Sequence, residues 1–375
     1  MSEIKVNSIK GVGASTAAIT VNNTDGTASA NLTSVSGGQL GGRNMVINGS
    51  MQCNQRGNQT SITGSTKTLD RWKLAISSLG GFSVSQIQSN AIEIATGHRH
   101  AAQIDCTTAD ASPASTDLLM FRTGLEGHSI NRLCWGTSNA KKAVLSFWAK
   151  ADIDGFTSGT KDFVVELQAS DSTEFSVVCQ LTTNSTWQKF VIPIDAKTSG
   201  SVTNTNTEAV GINFWLDAGS NYKGGTYASG WQAKGSSGER AAGLTINLAS
   251  NTANNFYLTG VQFELADPNT VPTEFEHRSF GEELALCQRY FQKIACNQMY
   301  MSVIRTSDDQ HRLIFNHPVT MRTTPTGTMT SGSQDGGGSI TVGSVSESSI
   351  QFSQGPAVNN ASAPSISEYT VDAEF

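Results

Sequence analysis

The chain has 375 residues, 15% of them charged, with a formal net charge of −6 and a pI near 5.5. That length allows two or three domains, and the charged fraction falls well below the ~25% usual for globular proteins, while Gly, Ser, Thr and Asn crowd nearly every segment. The balance favours many short strands joined by tight turns. It excludes the basic footprint of a nucleic-acid binder, and with no apolar run near ~18 residues and no hydrophobic stretch at the start it implies no membrane insertion and synthesis as a soluble protein in a cytoplasm.

Residues 1–43 hold few bulky apolar positions, chiefly Ile4, Val6, Ile9, Ile19 and Val21, around a hairpin-like Asn23-Thr-Asp-Gly26. Such a segment has too little to build its own core. From Arg43 onward strand patterns recur. Asp70-Arg-Trp-Lys-Leu, Phe82-Ser-Val-Ser-Gln-Ile, Ala143 to Lys150, Phe163-Val-Val-Glu-Leu-Gln, Glu174 to Leu181, Gln188 to Ile194, Val210 to Leu216, Leu244-Thr-Ile-Asn-Leu248 and Phe256 to Leu265 each alternate or cluster apolar residues over strand length. Polar turns separate them, so an all-β sandwich is expected over residues 44–277. Trp72, Trp148 and Trp187 lie in these strands and read as core or sheet-face residues rather than ligand platforms.

Ser279-Phe-Gly-Glu282 fits a capping box. Leu284, Cys287 and Phe291 follow at i, i+3 and i+7, with Tyr290 and Ile294 widening the stripe, Glu282 and Glu283 early, and Arg289 and Lys293 late. A short amphipathic helix is therefore expected after the sandwich. Arg312 to Phe315, Thr328-Met-Thr, Ser339 to Gly343, Ser349 to Phe352 and Tyr369 to Phe375 return to a β pattern, giving a helix plus a small C-terminal β domain over residues 278–375. The six cysteines (Cys53, Cys106, Cys134, Cys179, Cys287, Cys296) show no Cys-x-x-Cys spacing; reduced, mostly buried thiols are expected.

The run Phe256-Tyr-Leu-Thr-Gly-Val-Gln-Phe-Glu-Leu to His277, with Arg278-Ser-Phe280 and Glu283 to Phe291 after it, resembles a junction of bacteriophage tail-fibre and virion surface fibre proteins. Pro318-Val-Thr-Met-Arg-Thr-Thr-Pro325 also looks like that family. Leu145-Ser-Phe-Trp-Ala-Lys150, Trp187 to Ile194 and Leu258 to Glu264 occur in the same order in jelly-roll domains that look like carbohydrate-binding modules; with Asn48-Gly and Leu69-Asp-Arg-Trp72 the resemblance covers residues 43 to 293. It implies a jelly-roll sandwich, a location in the virion, an N-terminal arm (1–43) that attaches to other virion proteins or oligomerises, a homotrimer, and a host-surface glycan as partner. A structural or decoration protein of a phage head or tail is the alternative.

Sugar recognition calls for aromatic faces beside amide or charged groups. The Gly-rich stretch 219–243 supplies both, with Tyr222, Tyr227 and Trp231 among Asn221 and Gln232; the plain alternative is that Trp231 covers an end of the sandwich. His98 and His100 form the only His-x-His pair. On one strand they would share a face, and three copies on a threefold axis would offer six imidazoles to a metal, although surface histidines are the plainer reading. No cofactor is implied. Asp152, Asp154, Glu264, Glu274 and Glu276 are carboxylates a glycosidase could use, but no catalytic motif accompanies them, and a non-enzymatic role is expected.

Overall fold

The computed structural model describes residues 8–9, 19–21, 24, 28–30, 42–226, 230–235, 238–266, 272–300, 311–333, 340–354 and 365–375, and the chain divides into two units, Met1–Arg43 and Asn44–Phe375. In the first unit, β1 (Ser8–Ile9), β2 (Ile19–Val21) and β3 (Ala28–Ala30) pair antiparallel in that order. Val21 faces Ala28 across the hairpin that Asn23 to Gly26 marks in the sequence; most of that turn lies outside the described residues.

The second unit opens with β4 (Gln59–Ile62), β5 (Thr66–Lys67), β6 (Trp72–Ser77), β7 (Gly81–Gln88), α1 (Asn90–Thr96), β8 (His100–Thr108), β9 (Leu118–Glu126) and α2 (Gly127–Ile130). It continues with β10 (Ala143–Asp152), β11 (Lys161–Ala169), β12 (Thr173–Leu181), β13 (Gln188–Ile194), β14 (Glu208–Ala218), α3 (Ser220–Lys223), β15 (Gln232–Ala233) and β16 (Asn255–Leu265). Among the described residues these strands form two sheets, β13-β10-β16-β8-β7-β4 and β15-β12-β11-β14-β9-β6-β5, antiparallel throughout. Together they make a jelly-roll β-sandwich. Alternation fixes which side chains fill it: Leu145, Phe147, Ala149 and Ala151 of β10 and Phe256 of the neighbouring β16 meet Phe163 and Phe214 of the facing sheet in one buried cluster. Phe147 lies edge-on to Phe214 at 5.1 Å, and Phe163 edge-on to Phe256 at 5.3 Å. Each fully buried Phe of this kind contributes roughly 2–3 kcal/mol.

Between β10 and β16 the register slips, so that Ser146 faces Gln262 while Trp148 faces Thr259. The extra residue on β16 makes a bulge at Gly260, whose φ of +62° and whose approach to His98 both demand glycine; a Cβ there would sit 2.4 Å from the His98 Nε2. The expected strand Leu244–Leu248 does not form. Leu244, Ile246 and Leu248 are buried in alternation, but the Thr245 and Ile246 amides both donate to the single carbonyl of Asp162, and Asn247 at φ +42° turns the chain out of the extended region.

α4 (Phe280–Gln288) starts at the expected capping box, with Ser279 and Glu282 exchanging hydrogen bonds. It stops earlier than the apolar stripe suggested: Phe291, Lys293 and Ile294 belong to β17 (Phe291–Tyr300). β18 (His311–Asn316), β19 (Thr326–Ser333), β20 (Ile340–Val345), β21 (Ser349–Gln354) and β22 (Ser365–Asp372) complete two three-stranded sheets, β17-β22-β19 and β18-β21-β20. Phe352, Ile350, Ile366, Tyr369 and Val371 form their own core. The sequence ran the last strand through Phe375; it ends at Asp372, with Ala373 still donating to the Tyr290 carbonyl and Glu374 paired with Arg71 beyond it.

Charged groups fasten this module to the sandwich. Arg71 is buried, lies 3.4 Å over the Tyr290 ring, pairs with Glu374 and donates to the Gly124 carbonyl. Asp372 accepts from Arg56 and from Lys67, both at 2.9 Å. The Tyr290 hydroxyl donates to Glu126 at 2.6 Å, and Arg289 pairs with the same carboxylate at 3.2 Å. All six cysteines are unbonded, with Cys53, Cys106, Cys179 and Cys287 buried, as expected. No helix among the described residues is long and apolar enough to cross a membrane.

Candidate functional site

The outward faces of β6, β9, β14, β11 and β12 build a polar groove across the seven-stranded sheet. Register places Lys73 opposite Arg122, Arg122 opposite Asn213, Asn213 opposite Glu166, and Glu166 opposite Ser176. One row of side chains therefore runs perpendicular to the strands. The next row reads Gly124, Gly211, Gln168, Glu174, and the paired Arg122 and Glu208 side chains lie over its two glycines: a Cβ on Gly211 would come within 2.5 Å of the Arg122 Nη2 and 2.8 Å of the Glu208 Oε1. The groove encloses about 450 Å³ between Lys73, Arg122, Gln168, Asn213, Lys234 and Arg240, within the range of small-ligand sites.

Its floor is fixed by hydrogen bonds. The Arg122 Nε donates to the Asn213 Oδ1 at 2.9 Å, and Asn213 donates to the Glu166 Oε2 at 3.0 Å. The same oxygen accepts from the Trp215 Nε1 at 2.8 Å, while the Arg240 Nε donates to the Glu166 Oε1 at 2.7 Å. Glu166 is fully buried, so its charge is held entirely by these donors. Arg122 is also paired with Glu208. Burial, then the neighbouring Glu166 charge, raises the Glu174 pKa. Burial, then Arg122 and Lys67 alongside, lowers that of Lys73.

The stretch 219–243 folds beside this groove. Tyr222, on α3, is half-buried with its ring 5.2 Å from Trp215. Asn221 is exposed next to it, with its backbone amide on the Ser115 carbonyl. Gln232 donates to Glu174 at 3.2 Å from the edge of the sheet. Trp231 turns the other way: its ring lies edge-on to Trp135 at 5.0 Å, and its Nε1 donates to the Asp195 carbonyl at 2.9 Å, so that it covers an end of the sandwich. Tyr227 lies outside the described residues. The structure thus packs Tyr222 on Trp215 and ties Gln232 to Glu174, neither of them among the residues that line the groove, and separates Trp231 from both.

His98 and His100 do not share a strand face. β8 begins at His100, which is half-buried with its Nε2 3.1 Å from the Gln88 Oε1. His98 precedes the strand and is buried edge-on to Phe275 at 4.5 Å and 5.3 Å from His277. Burial, then the His277 and Lys189 charges, pushes its pKa down to about 4. Among the described residues no three His, Cys, Asp or Glu side chains gather as a metal site. Of the expected carboxylates, Asp152 accepts from the Tyr257 hydroxyl, Asp154 from Asn251, Glu264 from Thr273, and Glu276 from the Asn44 amide.

Sequence reading missed Lys73, Arg122, Asn213 and Glu166 as a group. The signal it had was a polar residue at alternate positions inside otherwise apolar central strands, as in Met120-Phe-Arg122-Thr or Gly211-Ile-Asn213-Phe, where a satisfied network is the physical requirement. The six-stranded sheet carries a second, aromatic row on its outer face. Lys150 faces Tyr257, Tyr257 faces Gln103, and Gln103 faces Ser85, with the Trp187 ring edge-on to Tyr257 at 6.2 Å and Trp148 on the adjacent row. Trp148 and Trp187 are half-buried, and Lys150 lies 4.0 Å from the Tyr257 ring centroid. Trp72, by contrast, is core, stacked on Phe121 at 4.9 Å. A larger cleft of about 560 Å³ lies against β17, β22 and β19, but there Arg56 and Lys67 are committed to Asp372, and Lys293 to Glu368.

No family model and no curated protein matches the chain. Among solved structures, a carbohydrate-binding module described as CBM4 aligns at 15% identity with a TM-score of 0.27, covering 59% of this chain and 99% of that one. The TmCBM61 module in complex with β-1,4-galactotriose aligns at 12% identity and TM-score 0.29, over 60% and 99%. The CBM22-1–GH10 modules of a Clostridium thermocellum xylanase, complexed with xylohexaose, align at 11% identity and TM-score 0.28, over 59% of this chain and 30% of that one. At these values the likeness extends to no residue and no ligand.

Proposed function

We propose that this protein is a non-catalytic glycan-binding attachment protein whose groove on the seven-stranded sheet takes the sugar. The observation that carries this reading is the row Lys73, Arg122, Asn213 along a groove of about 450 Å³, in which Arg122 and Asn213 are oriented by hydrogen bonds that end on the buried Glu166. Oriented polar groups spare a hydroxyl-rich ligand the cost of ordering them. The aromatic row of Trp187, Tyr257 and Trp148 supports a second reading, in which the sugar stacks on the six-stranded sheet instead. The finer assignment, a trimeric virion fibre that meets a host surface through this sandwich and other virion proteins through residues 1–43, is supported by the phage-fibre resemblance of residues 256–291. Several weak sites on one particle would then add up to firm attachment.

A glycan array probed with the full chain, followed by calorimetry on the best hit, tests the reading. Arg122→Ala is expected to weaken binding about tenfold or more and Trp187→Ala to leave it unchanged. The reverse pattern would move the site to the aromatic row, and no glycan bound by the wild type would end the proposal.

A further inference from the structure

We infer that the groove selects an acidic oligosaccharide, one whose sugar units carry carboxylates, lying across the strands from Lys73 to Lys234; this rests on the groove being the glycan site. Four cations line it: Lys73, Arg122, Lys234 and Arg240. Two are already matched, Arg122 by Glu208 and Arg240 by Glu166. Among the described residues neither Lys73 nor Lys234 has a carboxylate within the 4.0 Å of an ion pair. Burial, then the neighbouring Arg122 and Lys67 cations, lowers the Lys73 pKa, while the Glu208 carboxylate, which also lines the groove and is paired with Arg122, acts in the opposite sense. A half-buried ammonium crowded by positive charge and facing an open groove is a place where an anion is missing from the balance.

The two lysines mark the two sides of the groove. Lys73 lies on β6, and Lys234 follows β15, its amide held by the Ser172 carbonyl at 2.8 Å next to β12. Between β6 and β12 lie β9, β14 and β11, a width of ~19 Å at the usual strand spacing. That width suits a chain of a few sugars and exceeds a single carboxylate or phosphate. Between the lysines the half-buried Gln168 presents an amide of the kind that binds hydroxyls, so the lining fits alternating charge and hydroxyl rather than a dense polyanion. Arg122 and Arg240 already spend Nε and Nη2 on Asn213 and Glu208 and on Glu166, which leaves the Nη1 of each to donate to a ligand carboxylate.

The experiment measures calorimetric affinity of the full chain for an oligogalacturonate tetramer and for the same tetramer with its carboxyls reduced to alcohols, at low and high salt. The expected result is about a tenfold preference for the acid at low salt, falling as salt rises. Lys73→Gln/Lys234→Gln should abolish the preference and Lys73→Arg/Lys234→Arg should keep it, with thermal unfolding confirming that both are folded. Equal binding of the two tetramers would overturn acid selection while leaving the glycan reading standing, whereas binding of neither, with no glycan bound elsewhere, would overturn both. Displacement of the acid by inorganic polyphosphate at equal charge concentration, or a preference that survives in the Gln variant, would also overturn the assignment.

Discussion

Single residues in this protein settle questions that their neighbours in sequence leave open. His98 has its Nδ1 buried without a hydrogen-bond partner, and its imidazole faces His277, Phe275 and the bulge at Gly260. Its pKa is held near 4, chiefly by burial, against 6.5 when solvated. A base whose pKa is depressed by folding is protonated first in the unfolded chain, so its contribution is whole above about pH 6.5 and is lost as pH falls toward 4. Asp70 and Asp217, raised to about 6 by burial, act in the opposite sense between pH 6 and 3.8. The His98 effect is therefore isolated by a difference: from pH 7 to pH 4, wild type should lose about 3 kcal/mol relative to His98→Gln. Urea unfolding of both proteins at the two pH values checks it, and parallel pH profiles would refute it.

Elements tell how far local pattern reaches. The Ser279 and Glu282 capping box was legible because it needs only a spacing of three residues, and the structure shows both of its hydrogen bonds. Ser279→Ala should lower stability by about 1 kcal/mol, read as a lower urea midpoint with an unchanged slope. The helix end was not legible, since Phe291 continues the apolar spacing of α4 while its backbone pairs with Asp372 of β22; a partner some eighty residues away overrides the local period. The strands containing Phe147, Phe163 and Phe214 could be read from alternation alone. The groove could not, because Lys73, Arg122, Asn213 and Glu166 become neighbours only through the order β6-β9-β14-β11, which no single strand encodes. Composition singled out Tyr222, Gln232 and Trp231 alike, but their placement depends on tertiary partners: Tyr222 packs on Trp215, Gln232 bonds to Glu174, and Trp231 turns to Trp135.

At the scale of the whole molecule, the proposed fibre makes a demand on mass. Light scattering should give a trimer for the full chain and a smaller species once residues 1–43 are removed; a monomer in both forms would refute the trimeric fibre and leave the groove a single-site binder. Within residues 44–375 the sandwich and the C-terminal sheets share their contacts through charge: Arg56, Lys67 and Arg71 on one side, Asp372 and Glu374 on the other. These partners are separated by some three hundred residues. During synthesis, Arg71 therefore leaves the ribosome long before the carboxylate that neutralises it, and its pocket against Tyr290 cannot close until the final strand has emerged. The nascent sandwich must keep that guanidinium in water in the meantime, which makes the seam between the two modules the last part of the protein to set.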